Sequence, residues 1–352
     1  MSIAEDAITE PSPAVEAIPK RGMTIGTGTS FVVVLLLLIM PLLLSLFGLL
    51  PPGIQLLFPT NVYQVTTLLI YGLAVLALNI LTGGSGQFSL GQSAFFALGA
   101  YTTGVLMEQF NVHYLLSLPI AGVLCFAAGF LFGLPARRLS GIYLALATFA
   151  LATAMPQFLK LNFLEPWTGG VQGLSVTKPD APFGLSLQQD TWLYYFTLVI
   201  ALAIYIFSVN LLRSRSGRAF MAIRDNEIAA SAMGVDVALY KTLAFGVSAG
   251  ITGVAGGLGA IVVGYVSPDS YTIAFSISLF LGMVVGGVGW LPGSIVGAYF
   301  IIFVPNIAEH VSKGLSGAVF GVLLFLVIFL VPHGAKQVAV FIQEWIGKLR
   351  KH

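Results

Sequence analysis

Apolar runs about twenty residues long follow one another along almost the whole chain. A helix of that length crosses the hydrocarbon core of a bilayer, where each backbone polar group must be paired inside the protein. Charged residues make up only 9% of the sequence, against about 25% in soluble proteins. We therefore predict an all-α, polytopic integral membrane protein with about ten transmembrane helices. The predicted spans are residues 31–50, 62–81, 88–107, 115–135, 141–160, 192–212, 242–264, 272–288, 293–309 and 315–332.

Two of these runs are less regular than the others. Residues 88–107 and 293–309 contain Gly and Ser, so either run could be broken or re-entrant instead of fully spanning.

Lys and Arg are distributed unevenly among the predicted connections. With the N-terminus in the cytoplasm and alternating spans, thirteen basic residues fall on the cytoplasmic side. Only Lys160, Lys178 and Lys313 fall outside. Because loops rich in Lys and Arg stay in the cytoplasm, this partition predicts ten spans with both termini cytoplasmic.

The chain divides into two tails around one membrane domain. Residues 1–29 are polar, with several acidic residues and prolines, and are predicted to form a disordered cytoplasmic tail. No small-residue cleavage site follows the first apolar run, which we interpret as an uncleaved span. Residues 30–335 form the transmembrane domain, with a long polar loop at 213–241, and residues 336–352 form a basic cytoplasmic tail.

The polar loop at 213–241 contains the motif Glu227–Gly234 (EIAASAMG). Asn226 is a good N-cap, Glu227 places negative charge in the first turn, and Gly234 can end the helix in the left-handed conformation. The expected helix of about two turns is too short to be stable alone. It could be a lipid-facing or solvated connector, or it could dock onto a partner.

Glycine is abundant and regularly spaced within the spans. Gly246, Gly250, Gly253 and Gly257 would form one small face on a helix, which permits close approach of another helix. This face could pack inside one bundle or lie between two membrane subunits.

Two glycine-rich stretches, Gly83–Gly91 and Gly286–Gly293, each follow a span and lead into a Gly-Ala-Tyr sequence. The similarity indicates a weak internal repeat, as transporters often contain, although glycine-rich turns between helices are also common.

Signals of catalysis are lacking. The chain has no P-loop, no histidine pair with metal-ligand spacing and no nucleophile elbow, and Cys125 lies within an apolar run. We predict that it is not an enzyme and that it binds no metal, cofactor or nucleic acid.

The spans also carry no ionisable residue near the middle of the membrane. Proton- and ion-coupled carriers generally need one, so energy supplied by another subunit fits better. A secondary carrier with a backbone-built sodium site, or a passive channel, remains the alternative.

Several motifs in order resemble branched-chain amino-acid ABC permeases of the LivM type. They are Leu81–Tyr101 (LTGGSGQFSLGQSAFFALGAY), Gly141–Thr148 (GIYLALAT), Thr168–Leu174 (TGGVQGL), Ser216–Ala230 (SGRAFMAIRDNEIAA), Ser267–Ser270 (SPDS) and Gly286–Gly289 (GGVG). The resemblance covers about residues 80 to 335.

The resemblance implies an ABC importer permease fold in a bacterial inner (plasma) membrane. The expected partners are membrane lipid, a second homologous permease, two ABC ATPases that bind ATP and Mg²⁺, and a periplasmic or lipid-anchored substrate-binding protein. The expected solute is a branched-chain or other hydrophobic amino acid, and urea, short amides or aromatic acids are the alternatives within the class.

Two groups of functional residues are expected, the first from the resemblance and the second from the chemistry of neutral polar residues within the spans. Coupling to the ATPase is expected from Arg218, Arg224, Asp225, Glu227, Ala229, Ala230 and Gly234. The translocation path is expected to include Asn79, Gly83, Gly84, Gln87, Ser89, Gln92, Ser93 and Tyr101. The longest predicted exterior loop, 161–189, is expected either to contact the binding protein or to be an ordinary ordered loop.

Overall fold

The structure is a computed structural model that describes residues 59, 61–136, 141–181 and 188–311, with isolated positions between 321 and 337. All of these belong to one compact unit, Pro41–His352. The predicted tail 1–29 and first span 31–50 lie outside the described residues. Of the predicted tenth span, 315–332, and the C-terminal tail, 336–352, only isolated positions are described.

The described residues are predominantly helical. The α-helices are α1 (Val62–Leu78), α2 (Gln92–Glu108), α3 (Tyr114–Ala136), α4 (Ile142–Leu159), α5 (Glu165–Thr168), α6 (Gln189–Arg213), α7 (Arg215–Asp225), α8 (Glu227–Ala232), α9 (Val237–Val263), α10 (Ile273–Gly286) and α11 (Gly293–Val311). A π-helical turn, Asn79–Gly84, continues α1. Two 3₁₀ turns are Gly170–Gln172 and Pro268–Tyr271. Strands β1 (Leu174–Ser175) and β2 (Tyr265–Val266) pair antiparallel, with Leu174 opposite Val266.

The predicted all-α, polytopic fold class is confirmed. Each of the eight predicted spans between residues 62 and 309 contains a helix. Among the described residues, five segments are long and apolar enough to cross a membrane, namely Val62–Gly84, Tyr114–Pro135, Ile142–Leu159, Gln189–Arg213 and Val237–Val263. The apolar helices Ile273–Gly286 and Gly293–Ile307 are shorter.

The two less regular runs both contain a helix. Residues 88–91 of the predicted span 88–107 are not helical, and α2 begins only at Gln92. The other run forms a continuous helix from Gly293, although Pro305 lies inside it.

Helix α9 lies at the centre of the bundle, packed against α1, α2 and α3. Its predicted glycine face contacts α3: Gly250 approaches Phe126, and a Cβ on Gly253 would overlap Cys125. On another side, Gly256 lies against the backbone of Phe96 in α2. The glycine face therefore packs within this chain, as close helix approach in a membrane protein requires.

The connections between helices cluster at two ends of the bundle. We call the end formed by residues 82–91, 214–236 and 287–292 the arginine-bearing end. The opposite end, formed by residues 109–113, 160–181 and 264–272, is the strand-bearing end, where β1 and β2 pair.

Candidate coupling segment and polar junction

Helix α8 has the local structure that its sequence predicts. The Asn226 side-chain oxygen accepts a hydrogen bond from the Ala229 N–H at 3.0 Å, and Glu227 begins the helix. Gly234 follows with φ of +84°, and an added Cβ there would meet nothing within 4 Å. The left-handed backbone, rather than lack of space, is therefore what favours glycine at this position.

Large apolar side chains dominate the exposed surface of α8 and its C-cap. Ala230 is only 4% exposed and faces its own chain, whereas Ala229 is exposed. The large apolar side chains of Ile228 and Met233 are 82% and 86% exposed. These two residues were not predicted from the sequence. The signal was present, because a short helix that buries the alanine at its fourth position, Ala230, exposes the apolar residues on its other sides.

Glu227 is tied to the helix that follows. Its carboxylate forms an ion pair with the Lys241 ammonium, whose side chain is 7% exposed while that of Glu227 is 48% exposed. The carbonyl of Lys241 accepts a hydrogen bond from Gln87 Nε2 at 3.1 Å. Lys241 thus joins α8 to the glycine-rich segment between α1 and α2.

Arg224 makes a second connection from the polar loop. Its Nε and Nη2 atoms donate to Asp225 Oδ1 at 3.0 and 2.9 Å, and Nη1 donates to the Gly83 carbonyl at 2.9 Å. Arg218 has a local contact instead, donating to the Arg213 carbonyl at 3.1 Å.

The two glycine-rich stretches noted in the sequence meet each other. Asn79 Nδ2 donates to the carbonyls of Gly287 and Trp290, at 3.3 and 3.0 Å, and Asn79 Oδ1 accepts from Gly289 N–H at 2.6 Å. A Cβ on Gly83 would lie 2.7 Å from Gly289 Cα, so only glycine fits there. We call this contact of Asn79–Gly84 with Gly287–Trp290 the glycine junction.

Hydrogen bonds also order the segment that follows the π-helical turn. Thr82 Oγ1 donates to the Gln87 carbonyl at 3.0 Å, Ser85 Oγ donates to the Leu81 carbonyl at 2.7 Å, and Gln87 Nε2 donates to Ser85 Oγ at 2.9 Å. These bonds provide partners for buried polar groups that make no regular helical hydrogen bonds at the end of the π-helical turn.

A second polar network lies deeper, around the start of α2. Gln92 donates to Ser248 Oγ at 2.9 Å and accepts from Thr252 Oγ1 at 2.8 Å. Ser93 is linked to Ser276 through both its N–H and its hydroxyl. Buried polar groups paired in this way fix the relative positions of α2, α9 and α10.

The residues predicted to line the translocation path lie inside this chain. Each of their polar side chains has an intramolecular hydrogen-bond partner, and their participation in the path stays a prediction. They are Asn79, Gln87, Ser89, Gln92, Ser93 and Tyr101, with Gly83 and Gly84 between them.

Beside them, Phe88 is half exposed. Phe88, Ile142 and Phe280 line an apolar crevice of about 280 Å³.

The strand-bearing end brings together the motifs at Thr168–Leu174 and Ser267–Ser270. Leu174 pairs with Val266, Lys160 forms an ion pair with Asp269, and Trp167 stacks on Phe110. Glu108 Oε1 accepts from the Thr177 N–H at 2.7 Å. Burial raises the pKa of the Tyr271 phenol above its ordinary value. The connection 161–181 is thus an ordered structure fastened to the end of α9.

Comparison with known proteins identifies the family. The family described as branched-chain amino acid transport system / permease component matches residues 61–331. This chain belongs to that family. The permease is therefore a multi-pass membrane component of a transport system, in agreement with the predicted resemblance.

Individual relatives give the same result. The permease is 34% identical, over 292 residues, to the high-affinity branched-chain amino acid transport system permease protein LivM of Escherichia coli K12, covering 76% of this chain and 68% of that protein. It is 26% identical over 235 residues to the probable LivM of Methanocaldococcus jannaschii, covering 62% and 67%. It is 29% identical over 222 residues to the autoinducer 2 import system permease LsrC of Salmonella paratyphi B, covering 58% and 60%. No solved structure matches the permease significantly.

Proposed function

We propose that this permease forms half of the translocation unit of an ATP-driven importer of branched-chain amino acids. It pairs with a second homologous permease, two ATPases that bind ATP and Mg²⁺, and an external substrate-binding protein. The solute assignment is supported by the names of its LivM relatives. Transport is by alternating access, driven by closure of the ATPases.

The observation that carries the ATPase coupling is the exposed surface of α8. A capped helix of six residues and its C-cap present Ile228 and Met233 to the surroundings, and both are more exposed than the other exposed large apolar side chains of the loop, Met221 and Leu239. Exposed apolar side chains grouped on a polar segment are typical of a protein–protein contact. The partner expected here is a cleft on an ATPase subunit.

Charge supports the orientation. The arginine-bearing end and the helix termini beside it carry Arg213, Arg215, Arg218, Arg224 and Lys241 among the described residues. The strand-bearing end carries Lys160 and Lys178. By the positive-inside rule the arginine-bearing end is cytoplasmic, and therefore α8 faces the ATPases while the strand-bearing end faces the binding protein.

The polar residues inside the bundle border the proposed passage. Ser89, one of the predicted path residues, lines the crevice at Phe88, which offers apolar surface for a hydrophobic side chain. The passage would open along this region when the permease meets its partner permease.

The proposed docking of α8 to an ATPase is tested with the variant Ile228→Glu, in the transporter complex solubilised and purified in detergent. We expect the variant to insert in the membrane and to lose the ATPase subunits, because a charge would be buried at the contact. Val171→Glu is the matched control, since Val171 is 66% exposed at the opposite end and should leave the ATPases bound. Full retention of the ATPases by Ile228→Glu would refute docking through α8.

The solute is tested by stimulation of ATP hydrolysis. The reconstituted complex should respond to its binding protein loaded with leucine, isoleucine or valine. A response to urea or to an aromatic acid, with none to leucine, would reassign the solute and leave the importer mechanism intact.

A further inference from the structure

Two basic residues connect the polar loop with the glycine-rich region, Arg224 through its side chain and Lys241 through its backbone carbonyl. Arg224 contacts the Gly83 carbonyl, and Lys241 connects Glu227 with Gln87. These contacts join residues 141 and 154 positions apart in sequence, so they are tertiary links between the polar loop and the bundle.

The Gly83 carbonyl belongs to the last residues of the π-helical turn. Carbonyls at a helix end lack partners within the helix and need a donor from elsewhere, and a cation is favoured there by the helix dipole. Arg224 Nη1 supplies that donor at 2.9 Å. The turn is therefore held at its end by a side chain of the polar loop.

Movement of the Gly83 carbonyl cannot be confined to one segment. Gly83 packs directly on Gly289, and Asn79 is bonded to three backbone groups of Gly287–Trp290. The contact is so close that it leaves no room for a Cβ, and close-packed contacts of this kind transmit displacement. A shift of Arg224 would thus move the α1–α2 and the α10–α11 connections together.

We propose that Arg224 and Lys241 are positioning residues for transport, which transmit the displacement of α8 to both connections of the glycine junction. This inference rests on the proposed docking of α8 to an ATPase. Arg224 acts at the carbonyl that ends the π-helical turn, and π-helical turns inside α-helices are frequent at functional sites. Lys241 acts at the start of α9, through its ion pair with Glu227.

The exposure of the Arg224 side chain distinguishes this role from simple stabilisation of the fold. The Arg224 side chain is 41% exposed, so water can replace Nη1 at the Gly83 carbonyl when the arginine is removed. The fold should therefore tolerate Arg224→Gln. What that variant loses is the fixed link between the polar loop and the turn.

The test uses the complete complex of permeases, ATPases and binding protein in liposomes, with leucine-loaded binding protein. Three quantities are measured: the amount of ATPase bound, the rate of ATP hydrolysis and the number of leucine molecules transported per ATP. We expect Arg224→Gln to retain the ATPases and hydrolysis while transport per ATP falls about tenfold, the usual scale of coupling between sites. Arg224→Lys keeps a charged donor and should recover part of the loss. Lys241→Gln should lower the same ratio.

Arg215→Gln is the matched control. It removes the same charge from the same helix, at an exposed position outside the glycine junction, and should leave transport per ATP unchanged.

The outcomes distinguish this inference from the proposed function. Unchanged transport per ATP in Arg224→Gln would overturn the inference, as would a Lys variant no better than the Gln variant. Loss of the ATPases from Arg224→Gln would also overturn it, since the arginine would then contact the ATPase directly, while docking of the polar loop would stand. Retention of the ATPases by Ile228→Glu would instead refute the proposed docking itself.

Discussion

The crossing of α2 and α9 provides the sharpest test of the packing. In Gly256→Ala, the new Cβ would lie 2.9 Å from the Phe96 carbonyl carbon, 3.1 Å from Ala100 N and closer still to the Phe96 oxygen. Favourable carbon–carbon contacts begin near about 3.5 Å, so the two helices must separate by at least about 0.6 Å. The opposing atoms belong to the backbone and cannot rotate away.

The expected size of the effect follows from two opposing contributions. Overpacking of a tight contact costs about 1–3 kcal/mol, and we expect the upper end because backbone meets backbone. Replacing Gly by Ala inside a helix stabilises it by up to about 1 kcal/mol. The net loss in the free energy of unfolding should therefore be about 2 kcal/mol.

Unfolding of the purified permease in a constant lipid–detergent mixture with increasing denaturant measures this loss. Gly72→Ala in α1 is the matched control, because its nearest neighbours to a new Cβ lie 3.9 Å away. That variant should be as stable as the parent protein or up to about 1 kcal/mol more stable. Equal stability of the two variants would refute the claim that α2 and α9 cross in backbone contact.

Four further predictions concern the two ends of the bundle. Asn79→Ala should lower the free energy of unfolding by about 1–3 kcal/mol, because the Gly289 N–H loses its partner, whereas the carbonyls of Gly287 and Trp290 keep the bonds from Trp290 N–H and Gly293 N–H. A loss below about 1 kcal/mol in the same denaturant assay would contradict this. Gly234→Val should strain the left-handed end of α8 by about 1–3 kcal/mol and reduce leucine uptake by cells in which the amount of permease in the membrane is normal. Gly234→Asn should transport nearly normally, because Asn tolerates the left-handed conformation. Equal uptake by the two variants would contradict the conformational explanation. Single cysteines at Lys178 and Arg218 should be labelled from opposite faces of the membrane by an impermeant maleimide, and labelling from the same face would invalidate the topology. Trp167→Ala, which removes a half-exposed ring stacked on Phe110, should weaken stimulation of ATP hydrolysis by the loaded binding protein, and undiminished stimulation would leave 161–181 as an ordinary ordered connection.

Local features could be predicted from the sequence because they depend on neighbouring residues. The N-cap at Asn226 and the left-handed Gly234 are set by groups within one or two turns, and both are present. Spans were recognisable because hydrophobicity over about twenty residues decides membrane insertion.

Long-range contacts could not be derived in this way. The bonds from Arg224 to Gly83 and from Asn79 to the 287–290 connection depend on how distant helices pack. The spacing of glycines on α9 predicted a close helix contact, but the partner, α3, could be identified only from the structure. Similarly, the start of α2 at Gln92, four residues into the predicted span, could not be placed from the apolar run alone.

The length of α9 has a mechanical consequence. It runs for 27 residues, about 40 Å, from Val237 beside the polar loop to Val263 beside β2. Its first turns hold Lys241, and the Gly264 carbonyl just beyond its last residue accepts a hydrogen bond from Val176 N–H at 2.9 Å. Helix α9 is therefore one continuous element with one attachment at the polar loop and another at the strand-bearing end. A displacement along its axis at Lys241 would reach the 174–178 segment through this single helix.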